Sequence, residues 1–245
     1  MEYSANQFVN DLNHFIGDYK GSHKCERALH KGMESGNINF CKTLLHPAFI
    51  KDLEYEHGWL TPLMLASKFG YTDLVMILIK MGANIEKVTT NGNIALSTAI
   101  INGKDLVVDI LIKNGANINV YDPCSKTTAL MCAVDTKKTS IIKTLIDKGA
   151  NINAVNIAGV SALMIAAGHE DPEYLKILIN NGADIYNKNI DGKTALDWAK
   201  MFRRTENIKI LEEENKKLQY DNKKCSYGYA CLNLAKGICM LEHNN

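Results

Sequence analysis

The sequence predicts an all-α solenoid, a stack of helix–turn–helix units carrying β-hairpin fingers. Two markers that keep phase with each other predict it. Leu63, Leu96, Leu130, Leu163 and Leu196 each follow a small residue or proline, at spacings of 33, 34, 33 and 33. Gly-Ala-Asn/Asp-Ile begins at Gly82, Gly115, Gly149 and Gly182, at spacings of 33, 34 and 33. Each of the first four leucines precedes its glycine by 19 residues, so one extra residue falls between Gly115 and Leu130. A period of this length marks a repeat array.

The chain begins with an amphipathic stripe, Phe8, Leu12, Phe15 and Ile16, which ends at Gly17. Residues 1–24 are therefore expected to form an N-terminal capping helix that covers the first repeat. Residues 25–57 form a diverged first repeat, with Leu45 in register with Leu78 and Phe49 in place of the expected glycine. Full repeats follow at 58–91, 92–125, 126–158 and 159–191. In each, a Thr or Ser hydroxyl ahead of the leucine can cap a short first helix. The second helices carry wide apolar faces: Leu74, Val75, Ile77, Leu78 and Ile79, then Leu106, Val107, Ile110, Leu111 and Ile112, then Leu175, Ile177, Leu178 and Ile179. Gly82, Gly115, Gly149 and Gly182 end them where a left-handed residue is needed, and Gly92, Gly159 and Gly192 sit near finger tips. One unit has apolar surface on two sides and needs neighbours, so the array is expected to be one cooperative body.

Residues 192–220 read as a C-terminal capping repeat, because Glu212 falls where Ile79, Ile112, Ile146 and Ile179 stand in earlier units. Ile208, Leu211 and Leu218 hint at a heptad, but fewer than two heptads do not make a coiled coil. A Cys-containing tail fills 221–245.

Apolar residues make up 46% of the chain, charged residues 22%, and the formal net charge is +1. That balance gives no general drive toward nucleic acid or an anionic membrane. No apolar run approaches the ~20 residues that span a bilayer. The start, MEYSANQFVNDLNHF, lacks the basic and apolar stretches of a secretory signal. Seven cysteines without a compact framework point to free thiols and to the cytosol or nucleus. Lysine greatly outnumbers arginine (Arg27, Arg203 and Arg204 alone), a bias of AT-rich coding that fits a protist, a large DNA virus or an intracellular bacterium.

The segments GNIALSTAIINGKDLVVDILIKNGANIN (92–119) and GVSALMIAAGHEDPEYLKILINNGADI (159–185) resemble the ankyrin repeat. The resemblance covers roughly residues 25–218. It departs from the family at the histidine that follows the leucine, where Met64, Ser97, Met131, Met164 and Asp197 stand. Lys137 and Glu170 replace the glycine between helices, and Asp171-Pro172 supplies a cap and a first-turn proline instead. The finger VYDPCSKTT (120–128) is irregular and carries the extra residue.

The resemblance implies a non-catalytic interaction module whose protein partner lies on the concave face and hairpin tips. By register the exposed positions there include Asn91, Ile157, Val160 and Met201, and the anchor candidates are Trp59, Phe69, Ile101, Tyr121, His169 and Phe202. Large rigid side chains supply most interface energy. The expected form is a monomer with no cofactor, and the compositional bias points to a host-directed adaptor. No phosphate loop, nucleophile elbow or HExxH motif is present. The alternative is a zinc-binding tail that binds RNA or recruits ubiquitin machinery, through Cys225, Cys231, Cys239 and His243. Cys25/His30 and Cys41/His46 are each five apart, pointing about 140° apart on a helix, too divergent to share one metal.

Overall fold

The computed structural model describes residues 5–16, 23–120 and 122–226, of which 5, 16 and 221–226 are described by their backbone alone. The chain divides into two compact units, residues 1–151 and 152–245. The first holds α1 (Ala5–Ile16), α2 (Lys24–Glu34), α3 (Ile38–Leu44), α4 (Pro62–Phe69), α5 (Thr72–Lys80), α6 (Ala95–Ile101), α7 (Asp105–Lys113), α8 (Ala129–Asp135) and α9 (Thr139–Asp147). The second holds α10 (Ala162–Gly168), α11 (Glu173–Asn180), α12 (Ala195–Met201) and α13 (Thr205–Ser226). Helices α8 and α9 pack back onto α6 and α7, while α10 packs forward onto α12.

In the first unit α2, α4, α6 and α8 form an inner layer side by side, and α3, α5, α7 and α9 an outer one. The hydroxyls of Thr61 and Thr128 accept the N–H three residues on and start α4 and α8; Ser161 and Thr194 do the same for α10 and α12. Ile94 leaves α6 without a side-chain cap. Outer helices end in one repeated motif. Gly82, Gly115, Gly149 and Gly182 have φ between 89° and 94°, and the next alanine donates to the carbonyl five residues back: Ala83 to Leu78, Ala116 to Leu111, Ala150 to Leu145, Ala183 to Leu178. This is the Schellman pattern, in which only glycine adopts the left-handed turn without a Cβ penalty.

Inner helices end the same way, but with less suitable residues. Lys137 (φ 61°) and Arg203 (φ 57°) take the left-handed position that Gly70 and Gly103 fill in other repeats. In the repeat of α10 and α11, Asp171 Oδ1 accepts the Glu173 N–H, and Pro172 is already helical, which starts α11 without a glycine.

Between the layers lie Leu63, Leu74, Leu78, Leu96, Leu111, Leu130 and Leu145 in the first unit and Leu163, Leu175 and Leu178 in the second. Leu106 corrects an expected face: it is 70% exposed, and Val107, Val108 and Leu111 are the buried residues of α7. Its true counterpart is Asp73, one residue ahead of the stripe. Helix α1 packs on α2 and α3. Phe8 and Phe15 meet Phe40 at 5.6 and 5.0 Å between ring centroids. Helix α13 continues to Ser226, across the expected 220/221 boundary, with Leu211 buried near its start.

Side chains of one finger reach the backbone of the next. Glu54 Oε1 accepts the Asn84 N–H (2.7 Å), Glu86 Oε1 that of Asn117 (2.9 Å), and Asn119 Oδ1 that of Asn151 (2.8 Å). In the second unit Asn153 Oδ1 accepts the Asp184 N–H at 2.9 Å. Hydrogen-bonded pairs close the fingers: Thr89 to Asn93, Asn156 to Val160 and Asn189 to Lys193 enclose three residues each, whereas Asp122 to Thr127 encloses four. The extra residue of the array therefore lies between Asp122 and Thr127. Lys126 (φ 56°) sits there in a left-handed conformation.

Neighbouring fingers also approach closely. A Cβ on Gly159 (φ 70°) would lie 2.9 Å from Asn189 Cα and 3.1 Å from the Ile190 nitrogen, whereas one on Gly192 (φ 72°) would meet nothing within 4 Å. Gly192→Ala should lose roughly 1–2 kcal/mol to left-handed strain, partly offset by about 0.4–1 kcal/mol from a less flexible unfolded chain. Gly159→Ala carries the same strain plus a backbone clash and should unfold at clearly lower urea. Equal midpoints for the two variants would contradict this packing.

Candidate partner-binding surface

In the first unit, His57 and Leu60 exchange backbone hydrogen bonds around a two-residue turn. Gly58 (φ 59°) and Trp59 (φ 67°) both adopt left-handed backbone there, as a type I′ hairpin demands. For Trp59 that conformation costs about 1–2 kcal/mol. The strain holds its ring out, 58% exposed. Its carbonyl accepts from Asn93 Nδ2 (3.1 Å), while Glu56 Oε2 takes the Thr90 hydroxyl, so this tip is pinned to the next finger.

Phe69, at the end of α4, is half-buried: its ring stacks on Tyr71 (5.5 Å) and Lys68 Nζ lies 5.6 Å above it. Ile101, at the matching end of α6, is exposed. Tyr121 lies outside the described residues.

The second unit also exposes apolar side chains. Ile157 is 62% and Ile190 75% exposed, at equivalent places in adjacent finger tips. The Ile190 N–H donates to the Ala158 carbonyl at 3.1 Å, which locks the tips together. Met201 and Phe202, at the end of α12, are also exposed, and Lys193 at the base of the last finger reaches Met201 Sδ at 4.0 Å. Phe202 leans on Gly168, where a Cβ would meet its ring at 3.2 Å.

One expectation is corrected here. Val160 is only 9% exposed, since it closes its finger with Asn156 and its side chain turns inward. His169 is half-buried, with its ring 5.8 Å from that of Tyr174 and its carbonyl accepting from Asn207. Ile190 escaped the sequence reading, although 33 added to Ile157 locates it.

A group of rings lies under the Trp59 finger. His23, Tyr55 and His57 form a near-parallel series (4.6 and 6.5 Å), and His30 stands edge-on to Tyr55 and His57. His30 is fully buried, with Nδ1 2.9 Å from the Glu26 carbonyl and Nε2 3.0 Å from the Leu60 carbonyl. It follows Leu29 as the family's histidine follows its leucine, a correspondence the sequence reading missed because the first repeat is so diverged. Buried Glu26 accepts the Lys51 and Asp52 N–H groups and so holds the loop leading to the finger. Burial pushes the His30 imidazole below its ordinary value, and the neighbouring His57 adds to that.

A histidine harder to protonate when folded leaves the unfolded chain binding more protons. Its contribution is intact above the ordinary imidazole value of about 6.5 and is lost as pH falls below it. The stability advantage of the wild-type chain over His30→Gln should therefore shrink as pH is lowered through that window, measured by urea unfolding at successive pH values. An advantage that stays constant or grows would overturn the assignment.

Burial pushes the Cys41 thiol up to about 12 and that of Cys132 to about 11, far from the thiolate a nucleophile requires. Among the described residues no three of His, Cys, Asp and Glu gather where they could hold a metal ion. Cys231, Cys239, His243 and the Cys225 side chain lie outside the described residues. No helix among the described residues is long and apolar enough to cross a membrane.

The family described as "Ankyrin repeats (3 copies)" matches residues 29–122, 63–156 and 130–223. Over 82 residues, 31% of the chain, it is 39% identical to 24% of an ankyrin repeat protein of Fowlpox virus (strain NVSL). Over 100 residues, 39% of the chain, it is 29% identical to 20% of an ankyrin repeat, SAM and basic leucine zipper domain-containing protein 1 of Carollia perspicillata. The corresponding protein of Rhinolophus ferrumequinum matches at the same identity and coverage. The chain thus spans a quarter or less of the length of these curated relatives. Repeat phase, paired helices with glycine-capped ends and the family match over most of the sequence agree: the chain belongs to the ankyrin-repeat family.

Proposed function

We propose that this chain is a non-catalytic binding module that recruits a protein partner through its finger tips and the ends of its inner helices, acting as a monomer without a cofactor. Ankyrin repeats are generic protein–protein interaction modules, and the family is typically non-catalytic. The observation that carries the reading is the pair Ile157 and Ile190, largely exposed on tips whose backbones are bonded together. Exposed apolar side chains on an immobilised backbone bind without a large ordering penalty. In the first unit Trp59 gives the same combination, supported by Ile101 and the edge of Phe69. Tyr121 belongs to the irregular finger and is included as an anchor on the sequence register alone. His169 supports the surface, and Phe202 with Met201 extends it. The bias toward lysine and the resemblance to a poxviral repeat protein support a host-directed adaptor in the cytosol or nucleus.

The full chain, used as bait, should retain a partner that Trp59→Ala/Tyr121→Ala and Ile157→Asp/Ile190→Asp each lose, with far-UV circular dichroism unchanged. Anchor losses of about 2 kcal/mol or more predict roughly thirtyfold weaker binding. Unchanged affinity in both double variants would remove the finger tips from the interface.

A further inference from the structure

The chain contains four Asn-Gly dipeptides, Asn91-Gly92, Asn102-Gly103, Asn114-Gly115 and Asn181-Gly182. An asparagine before glycine is chemically exposed, because the glycine nitrogen meets little steric hindrance in attacking the side-chain carbonyl carbon. The four are not equally free to react. At helix ends, the Asn102, Asn114 and Asn181 carboxamides each donate at 2.8 Å to a carbonyl four residues back, those of Thr98, Ile110 and Ile177. To react, each must first give up that bond and uncover a helix-terminal carbonyl. Asn91 is on an exposed finger tip, and among the described residues no such bond ties its carboxamide. The glycine nitrogens do not distinguish the sites: Gly92, Gly103, Gly115 and Gly182 all donate to a carbonyl three residues back at 2.9–3.1 Å.

We propose that Asn91 is a site of spontaneous self-modification, in which intramolecular deamidation adds a negative charge to the finger face of the first unit. The Gly92 nitrogen attacks Asn91 Cγ, a C–N bond forms and ammonia leaves, closing a succinimide. Water then opens the ring at either carbonyl, giving aspartate or isoaspartate, with no oxidant, reductant or enzyme. The new carboxylate arises among acids: Thr90 is bonded to Glu56 on one side, and a Cβ on Gly92 would lie 2.8 Å from Asp122 Oδ2 on the other. Repulsion from Glu56 and Asp122 loosens the tip, and the isoaspartate product also lengthens the backbone within the turn that the Gly92-to-Thr89 bond closes.

The test is incubation of the full-length chain at neutral pH, with peptide mapping by mass spectrometry over time. Asn91 should convert first, to both products. Each locked asparagine should convert at least roughly fivefold more slowly, the factor equivalent to one hydrogen bond of about 1 kcal/mol. Asn91→Gln should abolish the early product, and Asn91→Asp should reproduce the altered ion-exchange behaviour of aged protein. Conversion of Asn102, Asn114 or Asn181 ahead of Asn91, equal rates at all four, or a stable Asn91 would each overturn the proposal.

Discussion

A pair of helices with seven to nine residues each buries too little apolar surface to offset the entropy of ordering its own backbone. Every other feature of this chain follows from that constraint. In the first unit, the leucines at 63, 96 and 130 and their partners at 74, 107 and 141 do not make three small cores. They make layers that become buried once a neighbouring layer is laid against them. Stacking needs a fixed register, and the chain supplies it with directional bonds. Glu54, Glu86 and Asn119 each accept a backbone N–H in the following finger, and Asn153 does so in the second unit. Each such bond contributes only about 0.5–1.5 kcal/mol. Apolar burial therefore stabilises the stack, and the hydrogen bonds decide how the layers align.

A scaffold held in this way can tolerate local strain. Trp59, Lys126, Lys137 and Arg203 all adopt left-handed backbone without being glycine. At Lys137 and Arg203 the helix-ending bonds form as they do at Gly103, so the strain reflects a turn the fold requires whatever residue is present. Trp59 differs, because a glycine there would satisfy the turn equally well and would leave no ring in solvent. A large exposed side chain at a strained position is an expensive arrangement for a purely structural role. The bonds from Asn93 to its carbonyl and from Thr90 to Glu56 keep that arrangement in place.

Features that repeat were legible in the sequence, and features that depend on one neighbour were not. Glycine after an outer helix recurs because the left-handed turn recurs, and all four glycines take it. The extra residue could be confined to the stretch from Gly115 to Leu130, but only the closing bond between Asp122 and Thr127 locates it within the finger. Leu106 read as core because it is apolar and adjoins the stripe. A helix turns 100° per residue, so one position of slippage carries a side chain from interior to solvent. Val160 read as exposed because its place in the register faces outward in a regular repeat. The finger closure through Asn156 turns it inward. His30 could not be recognised by its surroundings, since both its ring nitrogens lie against backbone carbonyls, which any sequence provides.

The two units present different chemistry at equivalent places. In the first, a strained aromatic ring stands on a tip surrounded by Glu56, Thr90 and Asn93, so apolar contact there comes with polar groups that must also be satisfied. In the second, aliphatic side chains occupy both adjoining tips, and Met201 and Phe202 are exposed at a helix end. A polar rim that needs matching partners discriminates strongly, because an unmatched buried group loses its hydrogen bonds to water, whereas an aliphatic patch accepts many shapes. On the proposed function, selectivity falls to the tip of the first unit and breadth of contact to the tips of the second. The layers beneath cannot share in either role, since their positions are already committed to holding the stack together.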